Sequence, residues 1–265
     1  MASRNVLLAQ RIEQWFASSA RELPWRRVSS MHEGWRRDPY RSLVSEAMLQ
    51  QTQVSRVIDY FTRFIARFPD VRSLASAEEQ EVLALWSGLG YYRRAKNLHA
   101  AARMIVSEFG GVFPQETDDL RRLPGVGPYT AGALASMAGG RRVPLVDGNV
   151  VRVLLRIEGR EGTASDRATM QWTWQRAAEL VKAAEDPGVL NEGIMELGAI
   201  ICTPDLPACP ECPVRRQCVA AKTGRQREIP SPKKAAPRRD LHCAAVLVRA
   251  ADGRLLMERR DDTRM

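Results

Sequence analysis

The chain has no long apolar run. None approaches the roughly 20 residues that a helix needs to cross a bilayer, although 45% of the 265 residues are hydrophobic. It also lacks a secretory signal, because polar residues interrupt every apolar stretch in 1–21. Before residue 240 it lacks the alternation of apolar and polar positions that marks a half-buried strand. These absences exclude a helical membrane protein and a β-sheet body. They predict an all-α, cytoplasmic chain with no membrane partner, long enough to bury one large core or two smaller ones.

What is present is a succession of helical patterns. Apolar residues fall near helical spacing in 6–18, 40–51, 54–68, 78–86 and 91–109. Further helices are expected over 117–122, from Tyr129 onward, and over 150–157, 166–184 and 190–202. Pro24, Pro69, Gly88, Gly90, Gly110 and Gly111 punctuate them, and 29–38 is polar and irregular, as in a surface loop. The net charge of +9 is uneven: 222–239 holds seven basic residues and one acid, whereas 240–265 is balanced. A basic balance suits a polyanionic partner, although solubility alone also uses it. Pro230, Pro232 and Pro237 among those cations mark 223–240 as a linker. Beyond it, 243–249 and 254–258 read as two strands about an Asp252-Gly253 turn. Two strands make no stable unit alone.

Three features carry chemistry. The first is the stretch 123–150. It opens on Leu123-Pro124-Gly125-Val126-Gly127, where Pro124 stops the preceding helix and the glycines permit backbone shapes closed to other residues. A glycine-rich turn feeding a helix N-terminus presents backbone N–H groups that bind phosphate. The stretch ends by placing Asp147 at the mouth of another helix; alone, it also fits an ordinary helix pair with a cap aspartate. The second is Cys202, Cys209, Cys212 and Cys218, four thiols within 17 residues, with Pro204, Pro207, Pro210 and Pro213 keeping the loop non-helical. Structural disulfides are rare in the cytosol, so the spacing points to a metal; zinc and an iron–sulfur cluster both take four thiolates. The lone Cys243 fits a buried apolar role better than a fifth ligand. The third is Glu46, a carboxyl among Val44, Ala47, Met48 and Leu49, where burial would raise its pKa.

Together these motifs resemble the MutY family of adenine DNA glycosylases, within the helix-hairpin-helix superfamily that also holds endonuclease III. The resemblance spans about 6–218. It rests on Leu23-Pro24-Trp25-Arg26, Ser45-Glu46-Ala47-Met48-Leu49-Gln50-Gln51-Thr52-Gln53, Gly88-Leu89-Gly90-Tyr91-Tyr92, the 123–127 hairpin, Val146-Asp147-Gly148-Asn149-Val150 and the four cysteines. It implies a catalytic region over 1–222. Within it, a six-helix subdomain (about 30–145) and a cluster subdomain (1–29 plus 146–222) would enclose the DNA and adenine site. It implies a [4Fe–4S] cluster on the cysteines. The implied partner is double-stranded DNA containing adenine mispaired with 8-oxoguanine or guanine, engaged by a monomer. The loop between Trp25 and Pro39 is longer than the family's usual one. Residues 241–265 resemble only the opening of the family's Nudix-like lesion-recognition domain.

The resemblance also assigns roles. Cleaving an N-glycosidic bond calls for an acid toward the leaving base and an anion toward the sugar cation, the two-carboxyl logic of sugar hydrolysis. Glu46 resembles the acid and Asp147 the anion, which its helix-start position would keep ionised; Asn149 resembles the aspartate's polar partner. Tyr129 stands where strand-cutting relatives carry a lysine, and a phenol forms no Schiff base. Hydrolysis without strand cleavage is therefore expected over an endonuclease III-like lyase, and the retained carboxyls favour an enzyme over a non-catalytic DNA-binding module. Adenine must leave the stack first. Gln51, Leu89 and Tyr91 match duplex-probing positions, Gly125, Val126 and Gly127 the DNA-binding hairpin, and Trp25, Arg26, Leu49 and Glu192 the base pocket.

Overall fold

The computed structural model describes residues 3–26, 36–232 and 247–257. The chain divides into two compact units, Met1–Pro232 and Lys233–Met265.

In the first unit the helices start where the sequence supplies side-chain acceptors. Ser3 caps α1 (Arg4–Ser19). Asp38 caps α2 (Pro39–Leu49) by accepting from the Tyr40 and Arg41 amides, with Pro39 in the first turn. The strongly amphipathic α3 (Val54–Arg67) follows. Next comes the short α4 (Val71–Ala75), held by a reciprocal Asp70–Ser73 capping box. Then come α5 (Glu79–Trp86), α6 (Arg93–Glu108) and α7 (Thr117–Arg122). After the hairpin, α8 (Pro128–Ala133) runs into a π turn, Leu134–Ala138. Asp147 caps α9 (Gly148–Glu158), which stops at left-handed Gly159. Asp166 and Asp186 cap α10 (Arg167–Ala183) and α11 (Pro187–Ile200). The cysteine loop leads into α12 (Val219–Thr223).

Two apolar cores form. The first gathers α2 to α8 around Phe61, Phe64, Phe68 and Trp86, with edge-on ring pairs Phe64–Phe68 at 5.1 Å and Phe64–Trp86 at 6.1 Å. The second joins Leu8 and Ile12 of α1 to Leu154, Leu180, Leu190 and Ile194 of α9, α10 and α11. The N-terminal helix thus completes the core built by the later part of the unit. Leu23 and Trp25 pack instead with the first core, where Trp25 meets Phe61 edge-on at 5.4 Å.

The all-α expectation holds among the described residues of this unit, and the helix ends differ for local reasons. The helix read over 40–51 stops at Leu49, because Gln50 turns out of the helical region (ψ 111°) and Gln51 is left-handed (φ 57°). The one read from Tyr91 starts at Arg93, because Tyr91 is also left-handed (φ 49°). The helix read from Leu190 starts at Pro187, since Asp186 accepts from the Gly188 and Val189 amides and proline suits a first turn. Helices α4 and α12 are too short to show a period.

The expected linker at 223–240 begins inside the packed body. Ile229 is fully buried in the second core, and its carbonyl accepts from Arg156 Nε at 2.7 Å. The Ser231 amide donates to the Gly162 carbonyl, and the Gly162 amide to Ser231 Oγ. Proline-rich spacing resembles a tether, yet one apolar side chain at the right place is enough to dock it. In the second unit an antiparallel bridge pairs Arg249 with Leu255 about the Asp252-Gly253 turn. Ala250 donates to the Arg254 carbonyl at 2.8 Å. Leu247, Val248, Leu255, Leu256 and Met257 are exposed; Cys243 lies outside the described residues.

If 224–232 belongs to the fold, Ile229→Ala removes a core side chain. It is expected to destabilise the protein by about 2–4 kcal/mol in urea unfolding. A change under about 0.5 kcal/mol, as at an unpacked surface site, would return this stretch to the linker.

Candidate active site

Every residue of α2 from Ser42 to Met48 is buried, so Glu46 has no solvated face to turn to and is 5% exposed. Burial pushes its carboxyl up to about 7; the Tyr129 hydroxyl opposes the shift, and the nearby Asp147 and Glu192 carboxyls add to it. Residues distant in sequence and drawn from both cores therefore meet at one point. A carboxyl poised near neutrality can hold a proton and give it up.

Gly132 sets the approach between the two sides. A Cβ there would lie 2.4 Å from the Pro144 carbonyl oxygen. Only glycine lets the backbone leading to Asp147 run against α8, which carries Tyr129. Asp147 Oδ1 accepts from the Val150 amide at 2.7 Å, and Oδ2 accepts from Asn149 Nδ2 at 3.0 Å. These bonds lower its pKa, yet burial is the larger effect and the net direction is up. The helix-start expectation therefore identified the bonds and missed the stronger desolvation. Asn149 Oδ1 in turn accepts from Arg152 at 2.7 Å, whose Nε donates to the Cys202 carbonyl at 2.8 Å. Tyr129 lies beside the Glu46 carboxyl, 3.8 Å from the Met195 sulfur, and its pKa is raised by burial and then by Glu46 and Asp147. It stays a phenol.

Of the expected pocket residues, Arg26 and Glu192 meet, within a larger ion-pair network. Arg26 Nε donates to Glu192 Oε1 at 2.7 Å, and Arg37 lies 2.7 Å from Oε2. Arg21 makes a two-pronged pair with Glu196, at 2.7 and 2.8 Å, which Arg26 joins at 3.1 Å. Burial would raise Glu196, but Arg21 and Arg26 hold it down at about 2. Sequence reasoning missed Arg21, Arg37 and Glu196. The only signal was Glu192 and Glu196 at i and i+4 on one helix, and a charged pair at that spacing is common on solvated faces. Trp25 lies in the first core, with Leu49 half-buried against it.

At the expected duplex-probing positions, Gln51 is exposed and Tyr91 is 61% exposed. Leu89 is different. Its amide turns back to the Trp86 carbonyl at 3.0 Å, and its side chain is buried in the first core. In the hairpin Gly125 is required twice, by a φ of 79° and because a Cβ would lie 2.8 Å from Asn97 Cβ. Gly127 is exposed with extended backbone, and the Val126 side chain is buried.

Cys202, Cys209, Cys212 and Cys218 line one small cavity with Arg156 and Arg215. Arg156 organises this loop from inside: its Nη1 donates to Cys202 Sγ at 3.3 Å and the Thr203 carbonyl at 2.7 Å, its Nη2 to the Pro204 carbonyl at 2.8 Å. Burial, then repulsion from the other three cysteines, pushes Cys212 up to about 12. Four soft donors around one cavity fit a metal–sulfur group. Among the described residues no group of three or more His, Cys, Asp or Glu side chains has the spacing of a single-ion site, and no helix is long and apolar enough to cross a membrane.

Residues 44–179 match the family model described as HhH-GPD superfamily base excision DNA repair protein. The chain is 44% identical over 216 residues to the adenine DNA glycosylase of Homo sapiens, covering 81% of this chain and 39% of that protein. It is 38% identical over 229 residues to the adenine DNA glycosylase of Buchnera aphidicola subsp. Schizaphis graminum, covering 86% of this chain and 63% of that one. The chain thus spans about two fifths to two thirds of the length of these relatives. Among solved structures, that of a thermostable thymine-DNA glycosylase superposes with a TM-score of 0.71 at 27% identity, covering 83% of this chain and 97% of that one. A non-covalent endonuclease III–DNA complex shares the fold, with a TM-score of 0.62 at 21% identity over 82% of this chain and 94% of that one.

The buried carboxyl gives a test that needs no DNA. In the folded protein Glu46 titrates at about 7, against 4.5 for an unperturbed glutamate, so between those values the folded state holds more protons than the unfolded one. Stability from this group is complete below about pH 4.5 and is lost as the pH rises through about 7. Glu46→Gln, which cannot ionise, should gain on the wild type between pH 4.5 and 8 by up to about 3 kcal/mol. Equal pH dependence in the two proteins would show that Glu46 is solvated.

Proposed function

The chain belongs to the HhH-GPD superfamily of base excision DNA repair proteins, and from that footing we propose that it is an adenine DNA glycosylase. It hydrolyses the N-glycosidic bond of adenine opposite 8-oxoguanine or guanine in double-stranded DNA, acting as a monomer and without efficient strand cleavage. The observation that carries this reading is the meeting of Glu46, Tyr129 and Asp147: one buried carboxyl near neutrality, one capped carboxyl and a phenol.

The base leaves the stack and enters the site beside Glu46. Glu46 donates its proton to a ring nitrogen of the purine, which makes neutral adenine the leaving group as the bond to the sugar C1′ breaks. Asp147, held by the Val150 amide and Asn149, faces the cationic sugar. Water adds to C1′ and surrenders one proton to the carboxyls, so the products are free adenine and an intact abasic strand. Tyr129 offers no amine for the Schiff base that strand cleavage requires. Trp25, Arg26, Leu49 and Glu192 border the base, and Gln51, Tyr91 and the Gly125–Val126–Gly127 hairpin engage the duplex.

Cys202, Cys209, Cys212 and Cys218 would hold a [4Fe–4S] cluster. When bound, the cluster supplies iron–thiolate bonds that fix the loop. The bonds from Arg152 and Arg156 to Cys202 tie that loop to the helix that Asp147 caps. The region 1–222 is the catalytic part, and 241–265 opens a separate Nudix-like lesion-recognition region.

The test is single-turnover incubation with duplexes carrying adenine opposite 8-oxoguanine, adenine opposite guanine, and thymine glycol, each with and without alkali. Release of adenine, with strand scission only after alkali, is expected. Glu46→Gln and Asp147→Asn should each slow it by about 10²–10⁴-fold. Cleavage of thymine glycol strands without alkali would contradict the reading, as would a Glu46→Gln rate within tenfold of wild type.

A further inference from the structure

Among the described residues, Gln51 and Tyr91 are the non-glycine residues with left-handed backbone, at φ 57° and 49°. Neither is asparagine or aspartate, the residues that tolerate this region best. Such conformations persist only where the surroundings over-determine them, and they concentrate at working sites. Gln51 follows the helix that carries Glu46, Tyr91 precedes α6, and both side chains are exposed.

One side chain lies behind both turns. Arg94 is 9% exposed and has no carboxylate partner among the described residues. Its Nη1 donates to the carbonyls of Ala47 (3.1 Å), Met48 (2.8 Å) and Gln50. Its Nη2 donates to Thr52 Oγ1 (3.2 Å) and to the carbonyls of Leu89 (3.4 Å) and Gly90 (3.2 Å). The guanidinium carbon lies 5.5 Å from the Trp86 ring and 5.3 Å from the Tyr91 ring. Capping the end of α2 would need only the first set of partners. The Leu89 and Gly90 carbonyls belong to the other turn, and no residue type but arginine offers a flat fork whose two terminal nitrogens serve both at once, here with Nε left without a partner. Gln50 and Arg94 also line one small cavity with Pro124 and Gly125 of the hairpin, so the two turns and the hairpin converge beside the helix of Glu46.

We propose that Arg94 is a positioning residue that locks the Gln51 and Tyr91 turns into one rigid tool for opening the duplex as adenine leaves it. It acts through those two residues and does not touch DNA. The inference rests on the adenine glycosylase reading.

The test uses the full chain and a duplex with 2-aminopurine beside the mispaired adenine, whose fluorescence rises when the neighbouring base unstacks. Excision is followed in single turnover, and affinity is measured on undamaged duplex. Arg94→Lys keeps the charge and loses the fork. It should cut excision at least tenfold and abolish most of the fluorescence rise, while duplex affinity stays within threefold. Gln51→Ala and Tyr91→Ala should each slow the wild type, yet change the Arg94→Lys protein by less than twofold, because the tool is already loose. Excision by Arg94→Lys within twofold of wild type would overturn the proposal, as would lost excision with the fluorescence rise intact, or full multiplication of the single effects. Arg94→Gln is the second variant; if circular dichroism shows both variants unfolded, Arg94 is a fold residue and the proposal fails. A wild type that releases no adenine from any duplex sinks the functional reading, whereas an active wild type matched by Arg94→Lys sinks only this inference.

Discussion

A carboxyl group deprived of water governs this structure. Glu46 lies on a helix whose inner run is buried from Ser42 to Met48, so its ionised form has lost hydration that nothing nearby fully replaces. That loss would be a defect in an ordinary core. Here the Tyr129 hydroxyl opposes it in part, while a second acid, Asp147, held by the helix it caps, adds to it. Burial raises both acids, and the bonds that Asp147 accepts from the Val150 amide and Asn149 oppose its shift. Gly132 brings the two sides to contact distance without a side chain between them.

Buried and half-buried arginines do much of the remaining organisation. Arg94 binds two turns, Arg152 links Asn149 to the Cys202 carbonyl, and Arg156 collects the cysteine loop and the Ile229 carbonyl. Arg21, Arg26 and Arg37 close on Glu192 and Glu196. In all but Arg37 the planar fork satisfies several acceptors that no apolar side chain could serve. The basic composition is therefore partly internal architecture, and only the remainder is available as surface field toward a polyanion.

The helices with strong period and the cysteine loop were legible because each depends on local signals: apolar spacing, capping aspartates and closely spaced thiols. Glu46 and Asp147 were legible for the same reason, each lying in a short motif. The pairing of Glu192 and Glu196 with three arginines was not, since nothing local distinguishes a buried acid on an amphipathic helix from a solvated one. The left-handed turns at Gln51 and Tyr91 were read as helix because their residue types carry no turn signal; tertiary bonds from Arg94 impose them. Leu89 matches a duplex-probing position by motif, and its side chain is buried in the first core, which no local signal marks. The docking of 224–232 was hidden behind prolines and cations, although Ile229 decides it.

The central claim is that Glu46 works as an acid because burial holds its pKa near neutrality. It is tested most directly by the pH dependence of single-turnover adenine release from a duplex with adenine opposite 8-oxoguanine, between pH 5 and 9. With the carboxyl at about 7, the rate should fall tenfold per pH unit above that point, and the break should vanish in Glu46→Gln. A rate that stays level to pH 9, or climbs through neutrality, would mean that the proton comes from elsewhere and that the buried carboxyl is not the acid.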